Sequence, residues 1–412
     1  MVIIKPFRAV RPEASLADKV AALPYDVMNA AEARLMAEGN PYSFLHVDKA
    51  EINFAPDVDP YSDIVYHMAA TRLREMLNEG VLLREHKPCL YVYRQTREGR
   101  SQTGVVGCAA VDEYLNKTIR IHELTRADKE DDRVRHIDAC NANTGPIFLA
   151  YRARPRINEI VAQAMHKPPL YDFNSGGVQQ TVWLIDEEEP ISILQEEFAR
   201  TERLYIADGH HRSASAARVA EMRRAQQQSC TGAEEFNFFL SVFFPDEQLY
   251  IMPYNRVIKD LGGLTAEQLL ARIEEKFSVR LHEGPGPCEP AHKHSIGMYL
   301  RGKWYLLTAR PGTYDEADPV ARLDVSILQD NLLFPILGIA NPRIDGRIGF
   351  LGGSRGLIEL ERRAGEGGAA FAMHPTSIDD LIAIADAGQV MPTKSTWFEP
   401  KLLSGLFIHE LS

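Results

Sequence analysis

One stretch decides the fold of this chain: LYIADGHHRS, at residues 204–213. Its first four residues have the character of a β-strand, Gly209 predicts a turn, and the alanine-rich run 214–225 predicts a helix. A helix that begins after such a turn leaves its first amide N–H groups unpaired at the positive end of its dipole. With Arg212 and two imidazoles beside these donors, the stretch predicts a phosphate site. In the alternative interpretation, Asp208 is only the helix N-cap and the histidines are polar turn residues.

Composition limits the classes of protein to consider. A chain of 412 residues predicts two or three domains, and 45% apolar with 25% charged residues is typical of a soluble globular protein. The net charge of −11 argues against a dedicated nucleic-acid binder, which needs clustered Lys and Arg. No run has the length of a membrane span and the first residues lack a signal-type apolar core, so we expect a cytoplasmic protein. The five cysteines form no Cys-x-x-Cys pair, which argues against a disulfide framework or a structural zinc site.

The sequence resembles one known superfamily. The turn DGHHR at 208–212, with its alanine-rich helix, is similar to the signature of the ParB/sulfiredoxin superfamily, in the branch that contains free-serine kinases and the bacterial domain-of-unknown-function family 1015. Three other segments resemble blocks of that family in the expected order: LPYDV at 23–27, IHELT at 121–125 followed by Asp132-Arg133, and MPTKSTWFEPK at 391–401. The resemblance implies that the turn holds nucleotide phosphates. Ser213 stands where relatives are expected to have an aromatic residue, so the substrate does not transfer with the resemblance.

Strands outnumber helices early in the chain and alternate with them later, which predicts a mixed α+β fold of several small sheets with packed helices. The resemblance adds a ParB/sulfiredoxin-like core around the turn. We expect three regions: an N-terminal α+β region at 1–113, a nucleotide-binding region at 114–252, and a C-terminal α+β region at 253–412. Among the local elements, we predict a strand at 42–47 and a short helix at 137–143 after a charged block.

Phosphoryl transfer needs donors that hold the phosphates, a cation that shares their charge, and a base for the acceptor hydroxyl. For the first need the sequence offers Gly209, His210, His211 and Arg212, with Arg133 as added positive charge. For the second, Asp208 is the predicted ligand of Mg²⁺, which prefers hard oxygen ligands. We also count Asp208 and His211 among the catalytic residues.

Glu123 is the predicted base. It lies between apolar positions, which predicts a partly buried carboxylate whose pKa is tuned by its surroundings. His122 and Thr125 flank it and are predicted to contact the substrate. A structural ion pair of Glu123 with Arg126 or Arg133 is the alternative.

Two further segments are predicted to contribute to the site. Asp26, after a Pro-Tyr turn, is a candidate for binding a substrate amine, although the sequence alone favours a turn-forming role. In the proline-bounded segment 391–401, Lys394 is a predicted nucleotide ligand, and Ser395 and Lys401 are predicted substrate ligands. In the alternative interpretation, the aromatic residues of this segment merely anchor the tail.

These observations favour a nucleotide-dependent kinase of a small hydroxyl metabolite, with ATP or ADP as donor, Mg²⁺ as cofactor and free L-serine as the first acceptor to test. A ParB-like nucleotide-binding regulator and a metal-dependent hydrolase built on the histidines are the alternatives. We expect a nucleotide and a small molecule as partners, and neither a membrane nor a nucleic acid. A homo-oligomer stays open, because the sequence has no coiled-coil heptads.

Overall fold

The computed structural model describes residues 1–227 and 229–412. The chain forms two compact units, the first made of Met1–Leu249 with Pro400–Ser412 and the second of Tyr250–Glu399. Helices and strands occur in both, so the predicted mixed α+β class is confirmed. The predicted boundary at 252/253 lies close to the division between the units, whereas the one at 113/114 falls inside a helix of the first unit, Val111–Leu115.

The first unit is built on one large mixed sheet. With labels that follow chain order, its strands are β1 (Ile4–Lys5), β2 (Val10–Pro12), β3 (Leu82–Arg84), β4 (Leu90–Arg97), β5 (Arg100–Ala110), β6 (Ile119–Arg120), β7 (Ala142–Asn143), β8 (Ile147–Tyr151), β9 (Tyr171–Ser175), β10 (Val178–Ile185), β11 (Leu204–Asp208), β12 (Phe238–Pro245) and β21 (His409–Glu410). Nine of them form the sheet in the order β6-β11-β8-β12-β5-β4-β10-β9, with β1 added at β5. The β6–β11 and β8–β12 pairs are parallel and the other pairs are antiparallel.

Nine α-helices accompany this sheet in the described part of the first unit. They are α1 (Ala17–Val20), α2 (Ala30–Ala37), α3 (Leu45–Asp48), α4 (Asp63–Asn78), α5 (Val111–Leu115), α6 (Ala127–Cys140), α7 (Pro155–Ala164), α8 (Glu188–Ala199) and α9 (His210–Gln226). Apolar side chains of α6, α7, α8 and α9 join those of β4, β5, β8, β11 and β12 in one core cluster. Burying this surface stabilises the unit by roughly 25 cal/mol per Å² of apolar area.

The C-terminal segment of the chain packs on the central strands of the same sheet. The ring of Phe407 lies 5.0 Å from that of Tyr91 and 5.9 Å from that of Tyr93. The buried amide of Gln95 donates to the carbonyl of Lys401 at 2.9 Å. Backbone groups inside a protein need such partners, so these contacts fix the position of the segment that carries Lys401.

The second unit contains a six-stranded antiparallel sheet in the order β15-β17-β16-β19-β14-β18. Its strands and helices are β13 (Ile251–Met252), β14 (Tyr254–Ile258), α10 (Ala266–Ile273), β15 (Phe277–Leu281), β16 (Ser295–Leu300), β17 (Lys303–Ala309), α11 (Asp324–Leu328), β18 (Ile348–Gly352), α12 (Ile358–Ala364), β19 (Ala369–Met373), α13 (Ile378–Asp386) and β20 (Trp397–Phe398). Capping boxes at Thr265 and Ser377 begin α10 and α13, as their spacing to Gln268 and Asp380 predicts. No helix in the described residues of either unit is long and apolar enough to cross a membrane.

Two local predictions were wrong. The predicted strand at 42–47 is a turn followed by the first residues of α3. The predicted helix at 137–143 is helical only up to Cys140, as the end of the longer α6, and Ala142–Asn143 is β7. Charged residues of α6 pair with the neighbouring helix: Asp131 and Asp138 accept from Arg218 and Arg223 of α9 at 2.7 and 3.2 Å. Such pairs follow from tertiary packing, which local periodicity does not report.

Gly405 provides a test of packing in the first unit. Its φ of +83° is left-handed, and an added Cβ would lie 2.6 Å from Cγ of the buried Phe44. Gly232 has nearly the same φ, +84°, with no atom within 4 Å of an added Cβ. We expect Gly405→Ala to lower the free energy of unfolding by about 1–3 kcal/mol more than Gly232→Ala, because both carry the backbone strain but only the former overpacks the core. Urea denaturation of the two variants measures the difference, and equal losses would contradict the packing argument.

Glu113 provides a test of pH dependence. Burial raises the pKa of this carboxyl from 4.5 to about 7, although the Ile3 N–H, which donates to Oε1 at 2.7 Å, opposes the shift. The folded state therefore holds the proton more tightly, so its stabilisation is complete below pH 4.5 and is lost as the pH rises through 7. We expect the free energy of unfolding to fall by about 3 kcal/mol across this window. In Glu113→Gln this fall should be absent, because the amide stays neutral at every pH. Denaturation midpoints between pH 4 and 8 measure it, with Glu221→Gln, at an exposed position, as the control for net charge.

Candidate functional site

The stretch at 204–213 folds as a strand, a glycine turn and a helix. β11 ends at Asp208, Gly209 has φ 99° and ψ 28°, and α9 begins at His210. This left-handed conformation favours glycine. The helix begins four residues earlier than the predicted Ala214, so both histidines and Arg212 lie in its first turn. Gly209 occupies the N-cap position and no side chain caps the helix, so Asp208 is not the N-cap of the alternative interpretation.

The short parallel pair of β6 and β11 brings the two predicted motifs together. Leu204 pairs with Ile119 and Tyr205 with Arg120, so the segments that follow both strands leave the same edge of the sheet. The rings of His122 and His210 meet there at a centroid distance of 4.5 Å and an interplanar angle of 90°. Ligand-type atoms of His122, Glu123 and His210 all lie within 4.8 Å of one another. Sequence reasoning assigned these three residues to separate roles and missed the cluster, because its members come from segments far apart in the chain.

A β-bulge shapes the end of β11. Its register against β8 shifts between Ile206, which pairs with Leu149, and Asp208, which pairs with Phe148. The extra residue is Ala207, and such an insertion bends the strand and redirects the side chains that follow it. The bulge therefore sets the direction in which Asp208 leaves the sheet.

The two clustered histidines are neutral at pH 7. Burial lowers the pKa of His122 to about 4, against the opposing effects of the Ile206 backbone and of Asp208. Burial also lowers the pKa of His210 well below its usual range. These rings therefore offer lone pairs and N–H groups to a ligand rather than positive charge.

Asp208 contacts two cations. Its Oδ2 lies 3.2 Å from the Arg212 guanidinium and its Oδ1 lies 3.4 Å from Nζ of Lys401. Burial would raise the pKa of Asp208, but the charges of Lys401 and Arg212 hold it below its usual range. Arg212 also donates to the carbonyl of Pro146. The structure thus joins three residues that the sequence predicted for the site, Asp208, Arg212 and Lys401, in one partly buried ionic group.

His211 lies on the more open side of the helix terminus. Its Nε2 accepts from the Arg126 N–H at 3.1 Å, which places the proton of the neutral ring on Nδ1. Burial lowers the pKa of His211, and the carboxylates of Asp26 and Glu130 partly offset this effect. Asp26 is exposed and also raises the pKa of Arg212 against its burial, so it acts electrostatically on the same first turn of α9.

The remaining predicted residues of the first unit have structural partners. Arg133 is buried, pairs with Asp132 at 2.9 Å, and lies 4.0 Å from the centroid of the Tyr25 ring. Thr125 donates to Glu130 at the start of α6. Glu123 is half-buried in the segment after β6.

A cavity of about 20 Å³ lies beside these residues. The residues that line it include Tyr25, Asp48, Arg133, His136, Arg212 and Ser404. Its volume suits about one water molecule, so the cavity itself does not accommodate a nucleotide. Tyr25 lies in the predicted block at 23–27, whereas no sequence signal pointed to Asp48 or Ser404.

Lys394 and Ser395 belong to the second unit. There the Lys394 carbonyl accepts from Arg256 at 3.0 Å, and the Lys394 Nζ lies 5.4 Å from the centroid of the Tyr254 ring. Ser395 is buried and donates to the carbonyl of Pro392 at 2.5 Å. Within their own unit, these two residues therefore make contacts that hold the conformation of their segment of the chain.

Fold and site define a mixed α+β protein built around a strand–glycine–helix turn. The chain belongs to the family described as "Protein of unknown function (DUF1015)", whose model matches residues 4–326. The family predicted from the sequence is thereby confirmed. No curated protein matches the chain.

Several solved structures are distantly similar. SbnI with a C-terminal truncation, from Staphylococcus aureus, is 12% identical with a TM-score of 0.38 over 73% of this chain and 85% of that one. A mutant free serine kinase in complex with AMP is 11% identical with a TM-score of 0.36 over 72% and 86%. A conserved hypothetical protein from Pyrococcus furiosus is 12% identical with a TM-score of 0.35 over 74% and 94%. At these values the likenesses determine neither the activity nor the site of this chain.

The contact between Lys401 and Asp208 yields a test. Lys401→Met removes one of the two cations from a largely buried carboxylate, and we expect the free energy of unfolding to fall by about 1–3 kcal/mol at pH 7. The double variant with Asp208→Asn should recover part of the loss, because the carboxylate that lost its lysine is then neutral, although Arg212 loses its partner as well. Lys167→Met is the control: its partner Glu187 lies 2.8 Å away in a largely exposed pair, so we expect less than about 0.5 kcal/mol. Equal effects of the two lysine variants would show that burial does not strengthen the Asp208 contact.

Proposed function

We propose that this protein is a nucleotide-dependent kinase that phosphorylates a small hydroxyl metabolite. The observation that carries the proposal is the glycine turn at Gly209, which sets the N-terminus of the seventeen-residue helix α9 at the sheet edge next to His122 and Glu123. The first amides of a helix and its dipole favour a phosphate group at this place. His211 in the first turn adds a side-chain donor.

Arg212 and Lys401 contribute charge to the proposed phosphate site. Both contact Asp208, so the local balance is two cations to one carboxylate. A phosphate that approaches the helix terminus is therefore attracted both by the helix and by the net positive charge of this group. Arg212 is held by the Pro146 carbonyl, which limits it to an electrostatic role from its present position.

Glu123 is the proposed base. Its half-buried carboxylate lies beside His122 and His210, at the edge where α9 begins. A base in this position would accept the proton of the substrate hydroxyl while the helix terminus holds the phosphates. Asp26, exposed and electrostatically linked to His211 and Arg212, is a proposed contact for a substrate amine.

Magnesium is proposed to enter with the nucleotide. When bound, it would share the charge of the phosphates. Enzymes usually hold Mg²⁺ through substrate phosphates together with one or two carboxylates, and the ion keeps several water ligands. Asp208 offers one carboxylate, and each of its oxygens already lies within 3.4 Å of a cation. The residues present thus suit a nucleotide-bound Mg²⁺ better than one held by the protein alone.

Free L-serine is the first acceptor to test, because the sequence resembles the superfamily branch that contains free-serine kinases. The donor is proposed to be ATP or ADP. Isothermal titration with ATP, ADP and CTP, with and without Mg²⁺, measures binding before any assumption about the acceptor. We expect micromolar, Mg²⁺-dependent binding that His211→Ala weakens by about tenfold, since one hydrogen bond to phosphate is lost. His166→Ala, at an exposed position, is the matched control.

Transfer itself is measured by ³¹P NMR of the products formed with L-serine and related alcohols. Glu123→Gln should lower turnover by about 10²–10⁴-fold while the nucleotide still binds. Absence of binding by all three nucleotides would overturn the proposal. Full activity of Glu123→Gln would leave the kinase assignment but remove Glu123 as its base.

A further inference from the structure

We infer that His122, Glu123 and His210 form a binding site for one divalent transition metal ion of the zinc class. The assignment concerns a different kind of ion from the nucleotide-bound Mg²⁺ proposed above, and it rests on the geometry of the three side chains. It stands whether or not the protein is a kinase.

The three potential ligand atoms are already close together. They lie within 4.8 Å of one another, whereas ligand atoms about a tetrahedral zinc ion at 2.0–2.1 Å are separated by roughly 3.3 Å. The contraction required is therefore at most about 1.5 Å, and side-chain rotations of the three residues can supply it. His122 and Glu123 follow β6, His210 follows β11, and the parallel pairing of the two strands holds both segments at one edge.

The buried imidazole of His210 supports a ligand role. The residue is 7% exposed, and within residues 1–227 and 229–412 no donor or acceptor forms a hydrogen bond with its Nε2. A buried polar atom without a partner costs about 1–3 kcal/mol, so natural proteins seldom retain one without a function. Imidazole nitrogens are common ligands of zinc-class ions, so a bound ion would supply the missing partner of this atom.

The ligand types select the class of ion. Two imidazoles and one carboxylate favour zinc, cobalt or iron in the divalent state over magnesium and calcium, which prefer oxygen ligands alone. Three protein ligands also leave a fourth position open, as in catalytic rather than structural zinc sites. Because His210 is the first residue of α9, the site adjoins the terminus of this helix, and we expect an oxygen of a phosphate or a hydroxyl group as the further ligand.

This site changes the role of one residue in the proposed kinase. With the ion bound, Glu123 is a ligand and no longer a free base. Coordination of its oxygen would then lower the pKa of the acceptor hydroxyl, and its proton would pass to a solvent water molecule instead of to Glu123. The same three ligands with a metal-bound water would support hydrolysis instead of transfer. The presence of such an ion therefore affects which reaction the site can catalyse.

The test uses Co²⁺ as a spectroscopic substitute for Zn²⁺. The full chain is stripped with a chelator, dialysed and titrated with Co²⁺ in the absence of nucleotide, and the visible d–d bands report the stoichiometry. We expect one equivalent with the intense bands of a four- or five-coordinate site, displaced by Zn²⁺ and not by millimolar Mg²⁺. Metal analysis of the unstripped protein identifies the native ion, and iron would place the site in the His₂–carboxylate iron class while retaining the three ligands.

Variants assign the ligands. His210→Gln and Glu123→Gln should each weaken Co²⁺ binding by at least about tenfold. Glu123 is half-buried, so its variant tests the site without disturbing the buried rings, and circular dichroism verifies the folding of both. His211→Ala should keep the Co²⁺ bands although it is expected to lose nucleotide affinity, and His292→Ala, in the second unit, controls for adventitious binding. Absence of d–d bands, or unchanged Co²⁺ affinity in folded Glu123→Gln, would overturn the metal site without touching the nucleotide result.

Discussion

The candidate site depends on the parallel pairing of two short strands, β6 and β11. Only two residue pairs join them, Leu204 with Ile119 and Tyr205 with Arg120, yet they bring two motifs far apart in the chain to one edge of the sheet. β11 is held on its other side by β8, with a bulge just before Asp208. The strand pair therefore decides which side chains meet, and the glycine turn decides how the helix begins beside them.

Burial and charge divide the site into two parts with different chemistry. His122 and His210 are buried and uncharged at pH 7, so they offer nitrogen ligands. Asp208, Arg212 and Lys401 form an ionic group that carries a net positive charge. One part suits a metal ion and the other suits an anion. Both adjoin the N-terminus of α9, because His210 is the first residue of this helix and Arg212 lies in its first turn. A substrate that carries both a phosphate group and an oxygen able to bind a metal ion would contact both parts of the site.

The sequence was sufficient to predict the features that depend on local chemistry. The strand–glycine–helix turn, the capping boxes at Thr265 and Ser377, the mixed class and the family all follow from short patterns, and each is confirmed. The start of α9 was placed too late, since His210 and His211 are weak helix formers and the helix begins there only because Gly209 turns the chain. The histidine–glutamate cluster could not be predicted, because neither strand pairing nor the ligand directions are encoded in nearby residues. Lys401 was predicted for the site, but nothing local indicated that Asp208 would be its partner.

The course of the chain has a consequence for how the site is made. Residues 250–399 form a unit of their own, and the chain then returns to the first unit at Pro400. Lys401, which neutralises Asp208, therefore leaves the ribosome long after the turn it serves. Until then the carboxylate of Asp208 has only Arg212 as its cation among the contacts described above. The ionic group can therefore form only after the second unit has been synthesised. Before Lys401 is made, a nascent chain lacks one of the two cations beside the proposed phosphate site.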